Sequence, residues 1–198
     1  MRVTDLVGSA YAWCLDEKRD LHQSWIAQSF KLAELAGAAH IASIQANNRL
    51  DLLIRQLEDE WQQPPEHIVD LSLDLRYSLS ECWVLRAYEV VRATAEQLGN
   101  NGVGHERLAA LKHRLGLIRM PIAKAEIQRA KKAPEPIVLV YEDGTGAKEY
   151  VNDGTYVMPR QLCADRGSAM WCPVDIVTGK SLQIRRIDLS NELLSLFD

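Results

Sequence analysis

Eight basic side chains fall within residues 105–132: Arg107, Lys112, Arg114, Arg119, Lys124, Arg129, Lys131 and Lys132. Only Glu106 and Glu126 oppose them. The segment carries a formal +6 on a chain of net charge -4, so the remainder carries -10. Such a separation sets up a local positive field on an otherwise acidic protein. A field of that kind attracts phosphates or the acidic surface of a partner. Lys112, Arg114, Arg119, Lys124 and Arg129 are therefore candidate binding residues. The competing expectation is a solvated face whose cations are matched by acidic side chains of the same chain, such as Glu58, Asp59 and Glu60. The segment has no Phe, Tyr or Trp, so it offers no platform on which single-stranded bases would stack.

Within this run Arg107 precedes His113 by six positions. That spacing resembles the R-x4-6-H pattern of HEPN domains, all-α domains of which many are metal-independent ribonucleases. The resemblance covers at most about residues 20–132, where long paired helices precede the Arg/His-bearing one. It implies that Arg107 would hold the phosphate and His113 would handle protons during attack by a 2′-hydroxyl; these two would be the catalytic residues. On an ideal helix six residues turn through about 600°, leaving the two side chains about 120° apart. They converge only where Arg107 lies in a distorted first turn. A second near-match, starting at Arg119, has Ala125 where a histidine would stand.

Other chemistries find little support. His22, His40, His67, His105 and His113 are scattered and form no metal-ligand spacing, so no metal site and no cofactor are expected. Cys14, Cys82, Cys163 and Cys172 form no CxxC pair and read as free thiols of a reducing compartment. Cys163, between Arg160 and Arg166, reads first as a structural thiol, though the two cations would favour its thiolate. No serine sits in GxSxG, and no phosphate-binding glycine motif is present. Trp13, Trp25, Trp61 and Trp83 read as core. Trp171, in an expected loop after Arg166, is either a partly exposed anchor for a ligand or a plug closing a small sheet against the helices.

The elements that must position these residues change character at Ala133-Pro134-Glu135-Pro136. Before it, apolar side chains recur at helical spacing: a short helix at 4–15, a charged break at 16–20, a long helix at 21–44, an amphipathic helix at 49–61 stopped by Pro64-Pro65, a long one at 67–98 ended by Gly99 to Gly102, and two more at 105–118 and 121–132. After it come β-branched runs and glycine turns. Residues 137–141 and 148–151 form a hairpin around 142–146. Residues 156–158 form a strand, 173–177 and 181–187 form a second hairpin, and a last helix covers 191–197. The fold class is α+β: a helical bundle over 1–133, then a small antiparallel β-rich unit ending in a short helix over 137–198. That unit has too few apolar residues for a core of its own, so docking on the bundle or exchange within a homodimer is expected.

With 198 residues, 47% hydrophobic and 25% charged, the chain is an ordinary globular sequence that can bury a core. It has no apolar run near the roughly 18 residues that cross a membrane and no signal-peptide pattern at its start. The expectation is a cytoplasmic interaction or regulatory protein whose basic helical segment binds an acidic partner or nucleic acid. The alternative is the HEPN-like ribonuclease.

Overall fold

The computed structural model describes residues 2–63, 71–99, 104–140 and 146–197. Its helices are α1 (Val3–Glu17), α2 (Arg19–Ala36), α3 (Ile41–Asp59), α4 (Ser72–Leu98), α5 (His105–Lys124) and α6 (Arg186–Leu194). Its strands are β1 (Val138–Val140), β2 (Ala147–Glu149), β3 (Arg160–Leu162), β4 (Ala169–Trp171), β5 (Val174–Asp175), β6 (Lys180–Ser181) and β7 (Ile184–Arg185). The class is α+β, with the helices packed together first and small antiparallel sheets towards the C-terminus. The expected stop at Pro64-Pro65, the start at His67, the helix end at Asn100 to Gly102, and the strand end and turn at 141–145 lie outside the described residues.

α4 lies at the centre of the bundle, against α5, α3 and α2. Its inward face is Arg76, Ser80, Trp83, Val84, Ala87, Val90, Val91 and Thr94. In the first turns Leu71 and Leu75, although at helical spacing, are exposed. There Arg76 turns inward, its guanidinium 5.3 Å from the Trp61 ring centroid. The helix expected over 21–44 is broken at Gly37, which takes φ 99 and caps α2. Only glycine adopts that conformation at little cost. The charged break expected at 16–20 shrinks to Lys18, and Asn47 and Asn48 are buried inside α3.

α5 runs through Pro121 to Lys124, so the separate helix expected from residue 121 does not form. Proline so near the end forfeits one backbone bond and is tolerated. The chain then turns through Ala125 and closes a short 3-10 turn, Ala130–Lys132. β1 and β2 pair as the expected hairpin, with Val138 opposite Glu149 and Val140 opposite Ala147. β5 and β6 make the second hairpin. Tyr156 to Met158 is not a strand: the Tyr156 N–H donates to Ala125 O at 3.0 Å, capping the end of α5. β3, β4 and β7 form a three-stranded sheet with β4 in the middle. α6 starts at Arg186, not Asn191, because Arg186, Ile187, Leu189, Ser190 and Leu193 form its buried face.

One apolar core joins the two parts. Trp25, Leu32, Ile54, Trp83, Leu108 and Leu111 of the helices are in the same cluster as Met158, Trp171, Ile184, Leu189 and Leu193. Within it sits a fully buried ionic group. Arg186 of α6 is bonded to Asp51 and donates to Glu58 of α3 at 3.0 and 2.6 Å. It also lies 5.9 Å from the Trp83 ring centroid. Asp51 further accepts from Trp25 Nε1 at 2.9 Å, Arg55 Nε at 2.8 Å and Ser190 Oγ at 2.7 Å. Burial pushes the Asp51 carboxyl up. The guanidiniums of Arg186 and Arg55 outweigh it, with help from Ser190 and Trp25, and hold the group below the usual carboxylate range.

Removing the cation leaves two carboxylates without it in the interior. Arg186→Met is expected to cost about 3–5 kcal/mol in denaturant unfolding. Asp51's depressed value means that its share of stability is present above the ordinary carboxylate value of about 4 and is lost as pH falls through the lower native value. Unfolding free energy measured from pH 7 downward should therefore begin to drop near pH 4, and the drop should be smaller in Asp51→Asn.

Candidate functional site

The cationic run divides into a neutralised part and a free part. On α5, Arg114 pairs with Glu192 of α6. Arg119 pairs with Glu89 of α4 at 3.4 Å and lies 5.0 Å from the Tyr88 ring centroid. Arg107 Nη2 donates to the carbonyl of Ser195 at 2.5 Å, a neutral partner. Lys112 is half-buried on the same helix. Beyond these, Lys124, Arg129, Lys131 and Lys132 are exposed, and their side chains have no carboxylate or hydrogen-bond partner among the described residues. The acids expected to quench the run are engaged elsewhere: Glu58 with Arg186, Asp59 with Lys18, and Glu60 with Gln56. Arg55 bonds Asp51, not Asp59.

The free cations stand on a backbone that is held in place. Ala125 and Arg129 take φ 50 and 59, the left-handed region, which costs a side-chain-bearing residue about 1–2 kcal/mol. Three contacts secure the turn. Ile127 is buried, its N–H donates to the Tyr150 hydroxyl at 3.1 Å, and that hydroxyl donates to Asn152 Oδ1 at 2.8 Å. Ala125 O accepts from Tyr156, whose phenol is pushed up to about 12 by burial, with the Cys172 thiol and Tyr150 adding to it. Gln128 folds back on α5 at Gly116, where a Cβ would lie 2.3 Å from Gln128 Nε2. An open depression of about 320 Å³ separates this basic turn from the β1–β2 hairpin; Lys131, Pro134, Glu135, Ile137 and Tyr150 are among its lining residues.

Arg107 and His113 are committed to different partners. Arg107 sits on the end of α6, whereas His113 Nε2 is 3.4 Å from Asp175 Oδ1 in the β5–β6 hairpin. Asp175 is buried and also accepts from the Val177 N–H at 3.0 Å and the Thr178 hydroxyl. Neither residue lines the depression above. Neither lines a second one, of about 420 Å³, where Lys18, Arg19, Arg55 and Arg166 meet Glu17 and Glu58.

Trp171 is not a partly exposed loop residue. It is fully buried in β4, the middle strand of its sheet, and packs in the shared core as the plug of the other expectation. Trp13, expected in the core, is 48% exposed on α1, and Trp61 is half-buried. None of the four cysteines forms a disulfide. Cys163 does not face Arg160, which reaches Glu81 and the Tyr77 ring; its sulfur bonds Asp165 and lies 3.7 Å from Arg185 Nη1. Among the described residues no group of three His, Cys, Asp or Glu side chains could hold a metal ion, and no helix is long and apolar enough to cross a membrane.

No protein-family model, curated protein or solved structure matches this chain. The free basic turn is the most distinctive feature of its surface. Lys131 and Lys132 join it although only Lys124 and Arg129 were among the candidate contacts. The signal was present in the sequence: after Glu126 no acid occurs until Glu135. The clamp on the turn is testable. Tyr150→Phe leaves the Ile127 N–H without its acceptor and should lower stability by about 1–2 kcal/mol. Amide exchange at Ile127 should rise with it.

Proposed function

We propose that this chain is an interaction module whose basic turn takes the acidic surface of a protein partner. The observation that carries the reading is the set of four cations, Lys124, Arg129, Lys131 and Lys132, left without counter-charges on an anchored backbone. Two features favour an acidic protein over nucleic acid. No aromatic side chain occurs in the basic segment to stack on bases. Glu135 shares the lining of the depression with Lys131; it repels a phosphate backbone and suits a protein face of mixed charge.

The HEPN-like ribonuclease remains the second reading, on the Arg107–His113 spacing alone. It needs the two side chains on one phosphate, whereas each holds a separate partner within the chain. Incubation with mixed RNA in the absence of metal separates the readings. Equal inactivity of wild type and His113→Ala leaves only the binding module.

Polyglutamate and a random duplex oligonucleotide serve as probes of the turn. Binding of polyglutamate should weaken between 50 and 200 mM salt, because exposed charge pairs are screened over about 10 Å. Reversal of all four cations to Glu should remove it. If the duplex binds with a log-log salt slope near -3.6, the value for about four phosphate contacts, the partner class is nucleic acid instead. Absence of binding by either probe at low salt rejects the module.

A further inference from the structure

The basic turn borders a cavity that its charge does not explain. The depression between the turn and the β1–β2 hairpin, about 320 Å³, falls within the size of small-ligand sites, roughly 300–1,000 Å³. Its walls are mostly apolar: Ala130, Ala133, Pro134, Pro136, Ile137 and Tyr150. Ala130, Ile137 and Tyr150 are half-buried and rest on the common core, which fixes that part of the wall. The Tyr150 ring is further held by its hydroxyl, bonded to the Ile127 N–H and Asn152 Oδ1. Ala133 is tied back by its N–H to Ala130 O at 3.0 Å. Pro134 and Pro136 have a locked φ and no N–H, so the segment they line is stiff and offers no donor at those positions. The cavity is therefore formed before anything enters it.

Charge decides what enters. Among the described residues Lys131 and Glu135 are the only charged groups in the lining. One cation and one anion leave the cavity neutral, so it does not draw a carboxylate inside. The other unpartnered cations of the turn, Lys124, Arg129 and Lys132, stand outside it. Asn152, whose side-chain oxygen accepts from Tyr150, has its amide N–H groups without a partner among the described residues and offers a donor to a peptide carbonyl. A ligand that satisfies every part carries carboxylates for the turn and, beside them, one bulky uncharged side chain for the cavity.

We propose that the acidic partner docks through a short extended segment in which a large apolar side chain, flanked by carboxylates, enters this depression. The flanking carboxylates meet Lys131, Lys132 and Arg129. The inference rests on the reading of the turn as a surface for acidic protein and names the kind of segment that it takes. The carboxylates supply attraction that salt screens, and the enclosed side chain supplies affinity that salt does not.

Two labelled peptides test this with the full chain: short glutamate peptides with either a tryptophan or an alanine at the centre, titrated by fluorescence anisotropy at low salt. The tryptophan peptide should bind at least about tenfold more tightly, the least that burying a large apolar side chain brings. Ala133→Phe fills the cavity from its wall, at a backbone φ of -63 that any side chain adopts, and should bring the two peptides to equal affinity. Circular dichroism checks that the variant folds. The wild type gives a readout that needs no variant: the amide resonances of Ala130, Ile137 and Asn152 should shift with the tryptophan peptide and stay in place with the alanine peptide. Equal affinity of the two peptides for the wild type, a tryptophan advantage that the folded Ala133→Phe protein keeps, or amide shifts that leave out these three residues overturns the proposal and leaves the acidic-surface reading standing. Failure of both peptides to bind at low salt rejects that reading and the proposal with it.

Discussion

The arrangement depends on one buried cation. Arg186 is fully enclosed and reaches two carboxylates of α3, Asp51 and Glu58, across 128 or more residues of chain. Taking a guanidinium and two carboxylates out of water costs several kcal/mol per ion, and the attraction repays this only when the remaining donors and acceptors are satisfied. Asp51 meets that condition with donors from Trp25, Arg55 and Ser190 besides Arg186. The group thus enforces one register of α6 on the bundle. A one-residue slip of α6 would swing Arg186 off the α3 carboxylates and bury their charge alone. A purely apolar α6 face would tolerate such a slip far better.

Placement of α6 in turn decides which cations of α5 are free. With Arg186 fixed, Glu192 and the carbonyl of Ser195 come to lie beside α5, where they take Arg114 and Arg107. α4 supplies Glu89 for Arg119. These contacts consume the middle of the cationic run and knit α5 to its neighbours. The helix outlasts them by one turn and ends at Lys124, beyond the reach of any described acid. There a cation also opposes the negative end of the helix dipole. The left-handed residues Ala125 and Arg129 then bend the chain so that Ile127 enters the core while Arg129, Lys131 and Lys132 stay in water. The free basic turn is thus what remains after packing has used the rest.

The class of the fold was legible because its signals are local. Helical periodicity up to residue 132 and β-branched runs after residue 136 reflect side-chain spacing, which the sequence displays directly. The first hairpin was legible for the same reason. What was hidden depends on contacts distant in sequence. Asp51 and Arg55 look like an ordinary exposed i,i+4 pair, and only the arrival of Arg186 turns Asp51 into a buried anion. Arg76 occupies an inward position of α4 because Trp61 and Gly167 receive it: a Cβ at Gly167 would lie 2.7 Å from Arg76 Nη1. Trp171 had loop-like neighbours in sequence, yet its strand is paired on both sides by segments the pattern did not mark. For the site, the excess charge was visible, but which cations stay free follows from where Glu192, Glu89 and Ser195 come to lie.

Free charge on the turn and bare valines on the hairpin are two exposed features that packing within the chain leaves uncovered. Exposed cations alone need no explanation, since lysines and arginines are at home in water. A clamp that holds them on left-handed backbone does, because flexible cations would solvate as well without strain. A hairpin that leaves Val138 and Val140 uncovered while Leu139 reaches the core is likewise half of a packing arrangement. The anchored turn holds its cations on an already ordered backbone, so only side-chain freedom is lost on binding.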